Sequence, residues 1–266
     1  MPVDPMSGTQ LELDVPAGVF ARAASTLLVE RAADFLKAGP APSQAIVDEP
    51  LLSTLSFAVV DVETTGGRPG TGDRITEIAI VTVRDGCVQD VYETLVNPER
   101  AIPPFITRLT KISWDMVREK APFRDVCAEV VATLEGHVFV AHNAGFDWRF
   151  VSAEVSRASG RELTGRRLCT VRLARRVLPQ LRSRSLDWVA RHYDVEIPEG
   201  QRHRAAGDAI ATAHCLIRLL DDARSVGCER WSELERFLAT GSAQRKKRRP
   251  RRGRALPHPV DRDTTA

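Results

Sequence analysis

The chain has 266 residues, 43% of them hydrophobic and 27% charged, with a net charge of +3, enough for one core of moderate size with flanking segments. It has no apolar run long enough to cross a bilayer, and Met1-Pro2-Val3-Asp4 lacks the basic start of a signal peptide, so a cytoplasmic protein without membrane contact is expected. The five cysteines form no Cys-x-x-Cys pair, which argues against a zinc site or a disulfide framework.

Residues 1–16 are polar and carry two prolines, a composition expected to stay disordered. From Val19 to Lys37 the apolar Phe20, Ala24, Leu27, Leu28, Ala32 and Phe35 recur at helical spacing, and Gly39-Pro40 opens a linker that reaches about residue 50. The run Phe57-Ala58-Val59-Val60 then predicts a strand buried on both faces, as in the middle of an α/β sheet. It ends in Asp61-Val62-Glu63-Thr64-Thr65-Gly66. Residues two apart in a strand share a face, so Asp61 and Glu63 project together from the carboxyl end, where open α/β sheets place ligands. Two adjacent carboxylates repel, and a bound cation is the simplest way to keep both ionised. Gly66 and Gly67 let the chain turn away without crowding that place. The loop Gly66 to Gly72 lacks the Gly-Lys-(Ser/Thr) ending of a P-loop, which excludes a nucleotide triphosphatase of that kind.

Arg74 to Arg84 and Cys87 to Val96 read as a hairpin turning at Asp85-Gly86. Short helical pieces follow around Thr110 and Trp114, then a helix over Phe123 to Leu134 started by Pro122. Val138 to Ala141 is a short buried strand, followed directly by His142-Asn143-Ala144-Gly145-Phe146-Asp147 and a helix from about Asp147 to Ser159. Leu168 to Leu173 is expected as a last strand entering a helix that ends near Leu178-Pro179. Ser185 to His192 is a helix with Ser185 as its cap. A polar loop, Pro198 to Arg204, precedes a long helix from about Ala206 to Arg224 with Asp208 in its first turn, and Trp231 to Leu238 forms a final short helix. The expected organisation is therefore a start, helix and linker over 1–50, a domain over 51–224, a short helix within 225–241, and a basic disordered tail over 242–266.

The acids of interest fall at strand ends or first helical turns: Asp61, Glu63, Asp147 and Asp208, with His203 five residues before the last. First-turn acids commonly do no more than complement the helix dipole, and a histidine in a polar loop is commonly just solvated. His142, at the end of a buried strand, reads as structural. As a set, four carboxylates match the charge of two divalent ions, and two such ions suit attack of water on a phosphodiester. A histidine on a loop is suited to take that water's proton.

In order and spacing, Asp61-Val62-Glu63-Thr64-Thr65-Gly66, His142-Asn143-Ala144-Gly145-Phe146-Asp147 and His203-Arg204-Ala205-Ala206-Gly207-Asp208-Ala209 resemble the three motifs of the DEDD exonucleases in their DEDDh branch, which includes the proofreading subunit of bacterial DNA polymerase III. The resemblance spans about Ser53 to Ala223, and Asp73-Arg74-Ile75-Thr76-Glu77-Ile78, Leu178-Pro179 and Ser185-Leu186 also look like the family. It implies an α/β, RNase H-like fold, a central mixed five-stranded sheet flanked by helices. It implies release of nucleoside 5′-monophosphates from 3′ ends with two divalent ions, Mg²⁺ or Mn²⁺. Asp61, Glu63, Asp147 and Asp208 would be the metal ligands, His203 the general base, and Thr64, Thr65 and Phe146 would line the pocket for the terminal nucleotide. Ala206-Gly207 departs from the bulkier apolar residue usual there, and a glycine near a helix start is expected to loosen that turn. The expected activity is on DNA 3′ ends in proofreading or repair, beside a DNA polymerase or repair complex. RNA 3′-end trimming and a non-catalytic nucleic-acid-binding module are the alternatives.

Residues 245–254 carry +8 and residues 255–266 carry −1, leaving −4 on residues 1–244. Arg245, Lys246, Lys247, Arg248, Arg249, Arg251, Arg252 and Arg254 are thus expected to form a tether that holds a polyanion near an acidic site.

Overall fold

The computed structural model describes residues 49–198 and 200–247. The expected helix over Val19 to Lys37 and the tail beyond residue 247 lie outside the described residues. Five strands form one sheet in the order β3-β2-β1-β4-β5. They are β1 (Phe57–Thr64), β2 (Ile75–Arg84), β3 (Cys87–Leu95), β4 (Val138–Ala141) and β5 (Arg167–Cys169). β1 pairs antiparallel with β2 and parallel with β4, so the sheet is mixed, as expected. The hairpin turns at Asp85 and Gly86, φ 53° and 72°, both in the left-handed region that two-residue turns require.

Eight α-helices are described: α1 (Pro104–Thr110), α2 (Trp114–Val117), α3 (Phe123–Leu134), α4 (Gly145–Ser159), α5 (Thr170–Val177), α6 (Leu186–His192), α7 (Ala205–Ser225) and α8 (Trp231–Lys247). They cover both faces of the sheet. Along β1, Phe57 and Val59 join Leu173, Val189, Leu216 and Trp231 from α5 to α8 in one core. The alternate residues Ala58, Val60 and Val62 join Phe123, Val130, Phe150 and Val151 from α3 and α4 in the other. Period-two alternation therefore puts Asp61 and Glu63 on the α7 side of the sheet.

Three expectations shift. β5 stops at Cys169, and Thr170 to Leu173 begin α5 instead of continuing the strand, which lets Leu173 and Ala174 enter the core as neighbours on one helix face. Ser185 holds the cap position of α6, but its hydroxyl makes no capping bond there. It faces Ser183 instead, whose hydroxyl accepts the Ser185 N–H at 3.2 Å. The last helix runs on to Lys247, placing Arg245, Lys246 and Lys247 on α8. Ala243 to Lys247 are good helix formers and no proline intervenes before Pro250. No helix among the described residues is long and apolar enough to cross a membrane.

Candidate active site

β4 is four residues long and pairs with β1 only as far as Val59 opposite Val140. Beyond that point the β4-side edge of β1 is open, and backbone N–H groups there need another acceptor. Asp147, in the first turn of α4, supplies it. Its Oδ1 accepts the Val62 N–H at 3.3 Å, and the side chain is 4% exposed. The carboxylate thus reaches the end of β1 although its helix packs on the face opposite to Asp61 and Glu63.

Asp208 arrives from the other side, in the first turn of α7, and is 6% exposed. Its Oδ2 accepts from Arg202 Nη1 at 2.5 Å and from the His203 N–H at 3.3 Å. One ligand atom each from Glu63, His203 and Asp208 lie within 4.8 Å of one another. The four carboxylates share one field. Burial, followed by the charges of Asp147, Asp208 and Glu63, holds Asp61 well above the ordinary carboxylate range. Burial, with Asp208, Glu77 and Asp147 adding to it, pushes Glu63 up to about 8. Asp147 is raised by burial to about 7 against the backbone N–H groups that favour its charge. Asp208 is raised by burial while Arg202 opposes the shift.

Divalent ions fit this donor set. Oxygen-rich, crowded carboxylates are what hard cations bind, and Asp208 Oδ1 is a buried oxygen without a hydrogen-bond partner among the described residues. When bound, such ions activate water and stabilise a departing oxygen. A stability test follows from Glu63. Below its ordinary value of 4.5 both folded and unfolded chains hold its proton, and between there and about 8 only the folded chain does. Stability falls as pH rises through that window, because the folded state binds more protons. In chelator the parent's unfolding midpoint should therefore drop between pH 5 and 9 more steeply than that of Glu63→Gln. Mn²⁺ should flatten the parent's curve. Parallel curves for the two proteins would refute the crowding.

His203 is exposed and sits in the left-handed region at φ 59°, a conformation that needs surrounding support in a residue with a Cβ. The neighbours hold it. Arg204 grips Glu77, on β2, through Nε at 3.0 Å and Nη2 at 2.5 Å, and the Ala205 N–H donates to the same carboxylate at 2.9 Å. Glu77 is 0% exposed and lies directly across from Glu63 in the β1–β2 ladder. A second clamp ties α4 to the start of β2: Arg74 Nε donates to Glu154 Oε1 at 2.6 Å, two helical turns from Asp147. Truncating one partner of a buried pair leaves the other charge uncompensated, at a cost of about 3–5 kcal/mol. Arg204→Met should destabilise the protein by that order in urea titration, while Glu77→Met/Arg204→Met recovers most of it.

Gly207 corrects an expectation. A Cβ at this position would lie 2.3 Å from the Gln201 carbonyl oxygen and 2.6 Å from its Cβ. The glycine lets the His203 loop close over the first turn of α7 instead of loosening it. Gly66 likewise leaves room for the Asp73 carboxylate, which a Cβ would meet at 2.4 Å, whereas Gly67 faces open space.

Thr64 and Thr65 are buried, at 5% and 1% exposure. The Thr64 hydroxyl donates to the Gly66 carbonyl at 2.6 Å, and that of Thr65 accepts the Arg74 N–H at 3.0 Å. Phe146 is half-buried with its ring 5.0 Å from that of Phe150. His142 is structural in its contacts. Its Nε2 donates to the Arg184 carbonyl and its Nδ1 accepts from the Thr170 hydroxyl, both at 2.9 Å. Burial lowers it to about 4.

The sequence assigns no role to Glu77 and Arg204, which stand within family-like stretches, and does not mark Arg202 or Asp187 at all. Arg202 bridges Asp208 and Asp187, the latter at 2.6 Å, so it joins the first turns of α6 and α7. The readable signal was Glu77, a lone acid in a strand of mostly apolar residues, which requires a buried cationic partner.

Carboxylates from a strand end and from two helix starts, gathered at the carboxyl end of the central strand of a mixed five-stranded sheet, place the chain in the RNase H-like class of nucleases. Residues 58–216 match the family model described as Exonuclease, and the chain belongs to that family. It is 36% identical over 181 residues to the 3′-5′ exonuclease DinG of Bacillus subtilis, covering 68% of this chain and 19% of that protein. It is 41% identical over 209 residues to a putative bifunctional exonuclease/endonuclease of Mycobacterium tuberculosis, covering 76% of this chain and 32% of the relative. The chain thus spans less than a third of the length of these curated relatives. Among solved structures it resembles Exonuclease X in complex with 5′ overhanging duplex DNA, at 32% identity and a TM-score of 0.52, covering 62% of this chain and 91% of that one.

Proposed function

We propose that residues 51–224 form a 3′-5′ exonuclease unit that hydrolyses the terminal phosphodiester of DNA with Mg²⁺ or Mn²⁺ and releases nucleoside 5′-monophosphates. The observation that carries this reading is the convergence of Asp61, Glu63, Asp147 and Asp208 with His203 at the end of β1. In it the four carboxylates hold the metal ions, and His203, exposed and within reach of Glu63 and Asp208, takes the proton of the attacking water. Phe146 offers a ring face to the terminal base, and the backbone of Thr64 and Thr65 borders the sugar, since both hydroxyls already have partners. The match to a DNA-bound structure supports DNA as substrate, and proofreading or repair as the setting, beside a polymerase or repair complex. The basic residues from Arg245 to Arg254 then serve as a tether for the polyanion.

The test is digestion of 3′-labelled single-stranded DNA and of RNA of the same sequence by purified protein with Mg²⁺, Mn²⁺ or chelator. Stepwise loss of mononucleotides from DNA, faster than from RNA and abolished by chelator, is expected. Faster digestion of RNA would reassign the substrate, and binding without digestion under all conditions would leave only a nucleic-acid-binding module.

A further inference from the structure

Residues 161–184 hold eight arginines and one glutamate. They carry +7 on a body, residues 1–244, whose total is −4, so the rest of that body sums to −11. The segment covers the edge strand β5, helix α5 and the loop to α6. Among the described residues, Arg166, Arg167, Arg172, Arg175 and Arg182 are exposed and have no carboxylate within ion-pair distance; exposed arginines elsewhere are either scattered singly, as Arg108, Arg191 and Arg218 are, or meet a carboxylate, as Arg118, Arg124 and Arg224 do. Concentrating unpaired cations against self-repulsion costs stability and calls for an external anion.

Two contacts tie this surface to segments that carry or flank active-site residues. The Arg167 guanidinium stacks 4.6 Å from the ring of Trp148, the residue after Asp147. At the other end, Arg184 folds the α5–α6 loop by donating to the Leu178 and Pro179 carbonyls at 3.0 and 2.9 Å, while its own carbonyl accepts from His142 at the end of β4. Arg182 stands on that loop. On α5, Leu173 and Ala174 face the core, leaving Arg172 and Arg175 one turn apart on the outer side. Planar guanidinium groups held on a rigid strand and helix suit phosphate oxygens.

We infer that the arginine face formed by β5, α5 and the α5–α6 loop is the track for the phosphate backbone of the substrate strand behind its 3′ end. The inference rests on the nuclease reading above and assigns that site its extended contact. Edge protection of β5 against another sheet would account for Arg166 and Arg167, but not for Arg172, Arg175 and Arg182, which lie beyond the strand.

The test uses the full chain and Arg172→Gln/Arg175→Gln/Arg182→Gln, with Arg118→Gln/Arg124→Gln/Arg224→Gln as a control of equal charge change. Affinity for a labelled 20-nucleotide single strand is measured by anisotropy in chelator from 50 to 200 mM salt. Each lost single-strand phosphate contact lowers the slope of log affinity against log salt by about 0.7, so the track variant should lose about 2. Over that salt range the parent should weaken about 20-fold more than the track variant. The control should keep the parent's slope. Hydrolysis of the small ester thymidine 5′-(4-nitrophenyl phosphate) with Mn²⁺ should be equal in all three proteins, since it does not reach the track. A parent slope in the track variant overturns the inference, as does an equal loss in the control. Failure of the parent on the small ester and on DNA alike sinks the nuclease reading instead.

Discussion

Asp208→Asn lowers the turnover of 3′-labelled DNA by at least about a thousandfold, with the protein folded at the parent's midpoint or above it. The side chain keeps its shape, and an amide oxygen still accepts from Arg202 and the His203 N–H as Oδ2 does now. What disappears is the negative charge and the lone pair of Oδ1, the buried oxygen that has no partner among the described residues. An ion-binding ligand contributes several kcal/mol of charge stabilisation in the transition state. Since each 1.36 kcal/mol is tenfold in rate, about 4 kcal/mol is the expected thousandfold. Stability moves the other way because burial already raises the carboxyl, and the neutral amide removes that penalty. Single-turnover digestion with Mg²⁺, beside thermal unfolding with and without Mn²⁺, checks both halves. A variant that digests at the parent's rate places the ions elsewhere.

His203→Asn is the second large effect, a fall in turnover of about 10²–10⁴ from loss of a positioned base. Asparagine is chosen because it tolerates the left-handed region better than alanine, and the φ of 59° at this position would otherwise confuse loss of the base with collapse of the loop. The Arg204–Glu77 clamp and the contact over Gly207 are untouched, so the Michaelis constant should move little. Imidazole added at tens of millimolar should restore part of the rate. A variant that retains the parent's turnover would mean that the water's proton leaves by another route and that His203 only shapes the loop.

Much of the fold was readable because its signals are local. The apolar run of β1, the Asp85-Gly86 turn and the stretch from Phe123 to Leu134 each declare an element within ten or so residues, and the structure keeps them at those places. The boundary between β5 and α5 was not readable, since Leu168 to Leu173 satisfy either period and core packing settles which. Gly207 was misjudged for a similar reason. Helix propensity describes a residue in its own helix, whereas the deciding contact, with Gln201, comes from the loop packed across it.

The order of acids along the chain, their spacing and the histidine five residues before the last of them were legible in the primary structure, because residue type and separation are linear properties. Their common field was not. That Asp147 reaches β1 follows from β4 ending early and leaving the Val62 N–H without a strand partner. That His203 stands beside Glu63 and Asp208 follows from Arg204 closing on a glutamate 127 positions earlier. Through-space charge, burial and hydrogen-bond closure depend on which distant segments meet, and only the folded chain brings them within reach of each other.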